Sequence, residues 1–306
     1  MPGETYRVWG TIGDARRLEF QVYAGDPYLN GRMASYLAFE DLDVEEDGTF
    51  EVIASLDPRP GNWLENPADA TRMLVRQIYS DWGAARSPGE VHIDRVGHEG
   101  DLRPPLGAAE LAERLRAAAA DLEVQTRCWP AVTTQSYARA ANRLNDPFDP
   151  GTRGGVPGRW MVSGRFDLAD DEALVITAWP WAGHYQGIQL TDPWYSSLEY
   201  ANRQSSLSGD QAHLDSDGVY RFVVCGRDPG VPNWLDTVGR ADGMILMRFD
   251  GAAVASFPTS ERPHAVVVKL AELDQVLPSD TPRLDAEQRT AQIAVRRRHV
   301  QQRFGN

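Results

Sequence analysis

Hydrophobic and polar positions alternate along most of the chain, as is typical of β-strands. Phe50 and Val52 alternate with Thr49 and Glu51, which predicts a strand with one apolar and one polar face. Residues 219–224 (VYRFVV) are largely apolar at both sets of positions, which predicts a strand buried on both sides. Further strands are expected at residues 5–9, 17–23, 72–79, 159–167, 173–179, 184–190, 243–249 and 264–270. Many short strands between Gly, Pro and Asp turns favour a β-sandwich or jelly roll over a parallel sheet.

One stretch of sequence occurs twice. Residues 47–65 read DGTFEVIASLDPRPGNWLE and residues 217–236 read DGVYRFVVCGRDPGVPNWLD. The motif Asn-Trp-Leu closes both copies, and nine residues beyond its leucine stand Met73-Leu74-Val75 in one and Met244-Ile245-Leu246 in the other. Because the order of these features is kept and their spacing differs by a single residue, we predict an internal duplication that gives two related β units.

Helical signals lie between the two copies and at the end of the chain. Residues 107–122 are rich in Ala, Leu, Glu and Arg and predict a strong helix, a second helix is expected over 133–144, and 145–158 is rich in Gly and Pro and predicts a loop. Asp285 and Gln288 have the spacing of a helix capping box. The basic helix that follows is expected either to dock on its own protein or a second subunit, or to remain a solvated terminus.

These patterns predict a mainly β protein of two related β-sandwich or jelly-roll-like units, joined by a helical linker and followed by a C-terminal helix. We expect the first β unit at residues 1–99, the linker with its Gly/Pro-rich loop at 100–158, the second β unit at 159–280 and the basic helix at 281–306.

Composition narrows the classes of partner. The 306 residues carry 31 basic and 44 acidic side chains, a net charge of −13, which argues against nucleic acid or an anionic membrane as partner. No apolar run is long enough to span a bilayer, and the first residues lack the basic and apolar regions of a signal peptide. Cys128 and Cys225 stand far apart without neighbouring ligand residues. We therefore expect a cytoplasmic protein.

The signatures of cofactor enzymes are missing from the sequence. It contains no nucleotide-binding glycine loop, no Gly-x-Ser-x-Gly turn and no His-Glu-x-x-His helix, and its six histidines lack the spacing of metal ligands. No cofactor and no metal are predicted, although a metal-dependent jelly-roll enzyme is kept as a third hypothesis beside the two given at the end of this section.

The segment 183–204 (GHYQGIQLTDPWYSSLEYANRQ) has the richest chemistry. His184 is a candidate acid/base, because an imidazole transfers protons near neutral pH. Asp192 and Glu199 are candidate partners for it, although Asp192 before Pro193 is also typical of an Asx turn. Candidate substrate-binding residues in this segment are Tyr185, Gln189, Trp194, Tyr195 and Arg203, and the alternative for the rings is that they fill the core of a β-sandwich.

A second candidate is the loop of the later copy, CGRDPGVPNWLD (225–236), which Pro229 and Pro232 make rigid. Asp228 is a candidate catalytic carboxylate, and the candidate binding residues are Arg227, Asn233 and Trp234. The earlier copy has a parallel set, Asp57, Arg59, Asn62 and Trp63. A feature kept in both copies is also expected of architecture, in which the Asn holds a turn and the Trp closes one end of a sandwich.

The chain resembles the bacterial domain-of-unknown-function family 1214. The resemblance rests on EALVI (172–176), QLTDPWYSSLEYANRQSSL (189–207), QAHLDSDG (211–218) and RDPGVPNWLDTVG (227–239), with DLDVEEDGTFEV (41–52), RPGNWLE (59–65) and VRQIYSDW (75–82) in the earlier copy. It implies jelly-roll-like domains and a tendency to oligomerise, and it implies no settled activity. Longer members have a segment before the equivalent of Tyr6, which this chain has either lost or receives from a partner subunit. At His184-Tyr185-Gln186 the chain departs from the Arg-Tyr-Trp-like stretch of many members.

Taken together, these observations lead to two functional hypotheses. The first is a cofactor-independent enzyme, of hydrolase or lyase type, that acts by acid/base chemistry on a small ring-containing substrate, apolar or glycosidic, in a cavity of the second β unit. The second is a non-catalytic protein of the same fold that binds a ligand or assembles subunits. Both predict a small-molecule partner and a homo-oligomer, with neither nucleic acid nor membrane as partner.

Overall fold

The computed structural model describes residues 3–25, 31–83, 87–102, 104–137, 139–153, 155–156, 158–252 and 254–304. Strands of the first half are β1 (Tyr6–Gly13), β2 (Arg17–Ala24), β3 (Arg32–Leu37), β4 (Thr49–Ser55), β5 (Trp63–Glu65), β6 (Ala70–Ile78) and β7 (Pro88–Arg95). Helix α1 (Ala108–Tyr137) follows. The second half contains β8 (Arg143–Leu144), β9 (Trp160–Asp167), β10 (Glu172–Ala178), β11 (Tyr185–Thr191), β12 (Ser206–Ser208), β13 (Tyr220–Cys225), β14 (Trp234–Asp236), β15 (Asp242–Asp250), β16 (His264–Lys269) and helix α2 (Ala286–Phe304).

The first unit is a sandwich of two sheets, with strand orders β5-β4-β1-β7 and β3-β2-β6. Its core takes the inward positions of both sheets, including Val8, Phe20, Phe50 and Val52. Thr49 and Glu51 lie on the outer face of β4, as the alternation predicts. By internal contacts this unit includes residues 3–79 and 87–128 of the described ranges.

The second unit is a larger sandwich, with strand orders β14-β13-β10-β16 and β12-β11-β15-β9-β8. By internal contacts it includes residues 80–83, 129–153 and 158–304 of the described ranges. Phe222 and Val224 of β13 point into the core between the sheets. Val223 and Cys225 point the other way, into a further apolar cluster with Leu273 and Leu277. This outer layer buries β13 on both sides, which confirms the prediction for that strand.

Both units use the same strand order. In the first, β4 pairs with β1 and, in parallel, with β5, and β1 pairs with β7. In the second, β13 pairs with β10 and, in parallel, with β14, and β10 pairs with β16. The facing sheets correspond as well, with β3-β2-β6 matched by β12-β11-β15. Strands β8 and β9 are additions that extend the second unit beyond β15.

The same turn introduces β4 and β13. Gly48 and Gly218 have φ of 83° and 80°, in the left-handed region that favours glycine. Their N–H groups donate to the carbonyl oxygens of Glu45 and Asp215, at 2.9 Å in both cases. The Asp-Gly pairs read from the sequence therefore form equivalent turns.

Helix α1 is longer than the sequence predicts. It continues without interruption through residues 123–132 and ends at Tyr137, although Pro130 lies inside it. Within this helix the Thr134 hydroxyl donates to the Pro130 carbonyl at 2.7 Å. The prediction of a separate helix over 133–144 is wrong at its end, because Arg143 and Leu144 pair with β9.

Helix α2 packs on the second unit through polar side chains. Asp285 and Gln288 form the predicted capping box, each accepting the other's backbone N–H at 2.8 and 2.9 Å. The buried residues of α2 are Arg289, Arg296 and His299, whereas the apolar Ile293 and Val300 are half-buried and Phe304 is exposed. The helix docks on its own protein, which is one of the two outcomes expected.

Candidate functional site

The structure places the first group of candidate residues along β11. Tyr185 and Gln189 share the outer face of that strand, opposite the buried Ile188 and Leu190. The Tyr185 hydroxyl lies over Gly187, where a Cβ would come within 2.4 Å of it, and burial raises the pKa of Tyr185. His184 is exposed and its ring lies against Gly251.

Two candidate carboxylates, Asp192 and Glu199, organise separate turns. Asp192 Oδ1 accepts the N–H groups of Trp194 and Ser196, both at 2.9 Å, which is the Asx turn weighed from the sequence. Glu199 Oε1 accepts the N–H groups of Ala201 and Asn202 at 2.8 and 2.9 Å. Backbone amides thus engage one oxygen of Asp192 and both oxygens of Glu199.

The aromatic residues of the same loop are partly used within the unit. Trp194 is 59% exposed. Tyr195 has a φ of 64° and stacks on Trp129 of α1 with ring centroids 5.8 Å apart. Burial raises the pKa of Tyr195 as well.

The charged candidates of the second loop anchor other elements. Asp228 accepts two hydrogen bonds from the Arg289 guanidinium of α2, at 2.8 and 3.2 Å. Arg203 donates to the buried Asp236 at 3.3 Å, and Arg227 is exposed. Asp228 therefore connects the loop to α2.

Asn233 and Trp234 repeat the contacts of Asn62 and Trp63. The Asn233 amide both accepts from the N–H and donates to the carbonyl of His213, at 2.7 Å each. The Asn62 amide makes the same pair with the backbone of Asp43, at 2.7 and 2.8 Å. Trp234 donates to the Cys225 carbonyl, and Trp63 to the Ser55 hydroxyl. In both units the asparagine of the Asn-Trp-Leu motif therefore holds a neighbouring loop and the tryptophan bonds to the adjacent strand, which is a structural role.

A cavity of about 200 Å³ lies in the second unit, between α2, the segment before β12 and residues 81–83. Among its lining side chains are Trp82, Gln204, Leu207, Gln211, Gln292 and Arg296. We call it the Trp82–Arg296 cavity. Of the residues predicted from the sequence, the segment 183–204 reaches it only with its last member, Gln204.

Arg296 is a buried cation that pairs with neutral oxygens. Its side chain is 98% shielded from solvent and donates to the carbonyls of Tyr200 and Ser206 and to the Ser206 hydroxyl, at 3.2, 2.9 and 2.9 Å. Within the described ranges no carboxylate comes within ion-pair distance of it. Burial lowers the pKa of Arg296 to about 10, and Glu199 only partly opposes this from farther away. The guanidinium carbon lies 4.6 Å from the centre of the Trp82 ring.

Three glutamines add hydrogen-bonding capacity to the cavity. Gln204 Nε2 donates to the carbonyls of Pro232 and Trp234, which fixes the amide orientation and leaves the buried Oε1 without a partner. Gln211 Oε1 accepts from Ser208, and Gln292 Oε1 accepts from Arg289. Neither of these two donates its Nε2 to any described residue. Gln204 thus lines the cavity and keeps one buried acceptor without a partner, and Gln211 and Gln292 keep donors that no described residue uses.

Sequence reasoning missed the centre of this cavity. Trp82 closes the motif VRQIYSDW, which was assigned to the first unit, and its contacts lie in the second. Arg296 was one of many arginines in a basic helix. Arg289, Arg296 and Arg303 are spaced by seven residues, which puts their side chains on one face of α2. This spacing could have indicated that the basic residues of α2 share one packed face.

The first unit has a different hollow, of about 560 Å³, on the outer face of its β1 sheet. Trp9 lies at its centre, opposite Glu51 on β4 and His92 on β7. The Trp9 indole donates to Asp94 at 2.7 Å and lies 4.5 Å from the His92 ring, and Arg7 pairs with Glu51. These five side chains are part-exposed and already paired. The corresponding face of the second unit is covered by the apolar cluster around Leu273.

In the described part of the chain, no group of three His, Cys, Asp or Glu side chains is arranged to hold a metal ion. Neither α1 nor α2, as far as their residues are described, combines the length and apolarity that crossing a membrane requires.

Comparison with known proteins relates the chain to one solved structure in particular. An uncharacterized protein from Burkholderia cenocepacia, known from its crystal structure, is 30% identical to it, over 88% of this chain and 74% of that one, with a TM-score of 0.79. This chain belongs to the family of that protein. The relationship supports the fold described above, mainly β with two sandwich units and a helical linker.

A second solved structure, the VPA0106 protein from Vibrio parahaemolyticus, is 12% identical over 87% of this chain and 86% of that one, with a TM-score of 0.49. No protein-family model matches the chain. No curated protein matches it either.

Proposed function

We propose that the protein binds a small carboxylic acid, one that carries a single ring and a hydroxyl next to the carboxylate, in the Trp82–Arg296 cavity. The observation that carries the proposal is the buried guanidinium of Arg296, which lines a cavity and has no carboxylate partner among the described residues.

The charge of Arg296 is the first part of the argument. Removing a charged group from water is costly unless an opposite charge or a full set of hydrogen bonds compensates it. Arg296 uses three of its five N–H groups on neutral oxygens. A carboxylate supplies the opposite charge and accepts from the remaining N–H groups, with the bidentate geometry that arginine favours.

Gln204 and the size of the cavity specify the rest of the ligand. The orphaned Oε1 of Gln204 requires a donor, and a hydroxyl next to the carboxylate supplies one. Cavities of about 150 Å³ accept a benzene molecule, so the cavity of about 200 Å³ admits one ring with small substituents. Leu207, Val295 and the Trp82 ring provide its apolar walls.

Isothermal titration calorimetry with three matched compounds tests the proposal. We expect mandelate, which has the ring, the carboxylate and the hydroxyl, to bind with a Kd on the order of 0.1 mM. Phenylacetate lacks the hydroxyl and leaves Gln204 Oε1 unpaired, so it should bind about tenfold more weakly. Mandelamide lacks the charge and should bind more weakly still.

Variants locate the site. Arg296→Gln should abolish mandelate binding, and Gln204→Leu should reduce mandelate to the affinity of phenylacetate. Arg297→Gln, an exposed neighbour on the same helix, is the matched control and should bind normally. Equal binding by Arg296→Gln and Arg297→Gln, with both folded, would overturn the proposal, as would equal binding of mandelate and mandelamide.

The acid/base enzyme predicted from His184, Asp192, Glu199 and Asp228 stays a second candidate. What supports it is the exposed imidazole of His184 at the start of β11, while the contacts of the three carboxylates favour structural work. His184→Ala separates the two candidates, because it should leave mandelate binding unchanged if the ligand occupies the Trp82–Arg296 cavity.

We also infer that the two units arose by duplication, which their shared strand order supports. Membership of the domain-of-unknown-function family 1214, a cytoplasmic location and a homo-oligomeric state stay predictions.

A further inference from the structure

The first part of α1 is a helix that other residues barely cover. From Ala108 to Arg127, all side chains are exposed except the half-buried Ala112. Three leucines on it are widely accessible: Leu111 is 46% exposed, Leu115 63% and Leu122 62%. Apolar side chains usually give a surface helix its stability by packing against a partner, and in α1 this part of the helix presents them to solvent.

These leucines form a continuous stripe. Leu111, Leu115, Ala118 and Leu122 are separated by four, three and four residues, which is the spacing of the inward d and a positions of a coiled coil. We call these four residues the α1 stripe. Trp129, the next a position, stacks on Tyr195 of its own chain, so the stripe ends before it.

The residues beside the stripe suit a second copy of the same helix. Ala112 and Ala119 occupy the e positions, and small side chains there allow close approach of two helices. Arg114 and Asp121 occupy the g positions. When two such helices run antiparallel, g faces g, so Arg114 of each copy comes opposite Asp121 of the other. In a parallel pair g faces e, which is alanine, and no such ion pair forms.

We propose that the α1 stripe is the seam of an antiparallel homodimer. Layers of Leu115 against Ala118 and of Leu111 against Leu122 form twice around the two-fold axis. Because Arg114 and Asp121 of one helix pair with Asp121 and Arg114 of an identical antiparallel helix, the partner expected on the α1 stripe is a second copy of this chain.

Sedimentation velocity of the full chain tests the seam. The wild type should sediment at twice the monomer mass of 34.0 kDa. Leu115→Glu and Leu122→Glu should be monomeric while keeping the wild-type circular dichroism spectrum. Ala120→Glu puts the same residue on the opposite, outer face of α1 and should remain dimeric.

Exchanging the charges of Arg114 and Asp121 tests the ion pairs separately from any general loss of structure in α1. Arg114→Asp and Asp121→Arg should each weaken the dimer by about tenfold, and the double variant should restore it, because the ion pairs are then reversed and intact. A monomeric wild type overturns the proposal. So does a dimer that survives Leu115→Glu, or a double variant no stronger than the single ones.

Discussion

At the scale of single residues, the asparagine of the repeated Asn-Trp-Leu motif shows how a conspicuous pattern can be structural. Asn233 and Asn62 each hold a neighbouring loop by two amide hydrogen bonds to its backbone. An amide is the side chain that can donate and accept in this way at one position. The motif therefore joins the parallel strand of each unit to the loop that precedes its Asp-Gly turn.

We expect Asn233→Ala to lower the free energy of unfolding by about 2–3 kcal/mol, because it leaves a backbone N–H and a carbonyl without partners. Asn62→Ala, at a more exposed site, should cost about half as much. Asn202→Ala, at an exposed position, is the control and should change little. Urea unfolding measures all three, and an unchanged stability of Asn233→Ala would contradict this role.

His299 gives the fold a dependence on pH. Burial lowers the pKa of His299 below its ordinary value of 6.5, Arg303 lowers it further and Asp81 raises it in part. The native state therefore binds its proton less readily than the unfolded state does. Its contribution is fully present above pH 6.5 and is lost as the pH falls below that value.

Unfolding of wild type and His299→Gln between about pH 7 and pH 5.5 measures this effect. The wild type should lose more stability over that range than the variant, in which the other ionisable groups are unchanged. Equal losses in the two proteins would show that His299 titrates alike in the native and unfolded states.

The sequence predicts residue environments well where period and turn chemistry set them. The inward positions of β4 and β13, the Asp-Gly turns and the Asp285–Gln288 box follow from local rules. Arg296 and Trp82 could not be found in this way, because their meeting depends on how α2 and residues 80–83 come together across 214 positions of sequence. Strand period, helix propensity and turn motifs describe neighbouring residues only, so they cannot predict a contact between residues this far apart in the sequence.

At the scale of elements, α2 packs on the second unit through a basic face rather than an apolar one. Arg289 stacks on Trp234, pairs with Asp228 and donates to the Val231 carbonyl, so the helix is held by charge and hydrogen bonds rather than by an apolar stripe. The buried face of a surface helix is usually predicted from apolar residues at helical spacing. In α2 the buried face is basic instead. This is why the docked face could not be predicted from hydropathy.

Asp228→Asn should loosen α2, because the buried Arg289 loses its ionised partner. We expect a loss of about 1–3 kcal/mol in stability and faster tryptic cleavage within α2. Glu287→Gln, an exposed change on the same helix, should behave as wild type. Identical cleavage rates for Asp228→Asn and Glu287→Gln would mean that the ion pair does not hold the helix.

At the scale of the whole molecule, two units of one strand order carry different outer layers. The second unit adds β8 and β9 at one edge, an apolar cover over β13 and the helix α2. The first unit leaves the matching face open around Trp9. Sheets of the same strand order thus carry a hollow lined by paired surface charges in the first unit and a cavity with the buried Arg296 in the second.

The sequence predicts the class of fold and the repeat at this scale because both rest on strand period and on turns. The extent of α1 and the division of the linker region do not follow from it. Residues 143–144 form a strand only because β9 lies beside them, and this long-range pairing overrides local helix propensity.

A crystal structure of the protein grown with mandelate tests the central claim most directly. The proposal predicts the carboxylate of mandelate against the guanidinium of Arg296, its hydroxyl donating to Gln204 Oε1 and its ring between Trp82 and Leu207. Mandelate bound elsewhere, or a Trp82–Arg296 cavity that holds only water at mandelate concentrations that saturate the calorimetric signal, would contradict the claim.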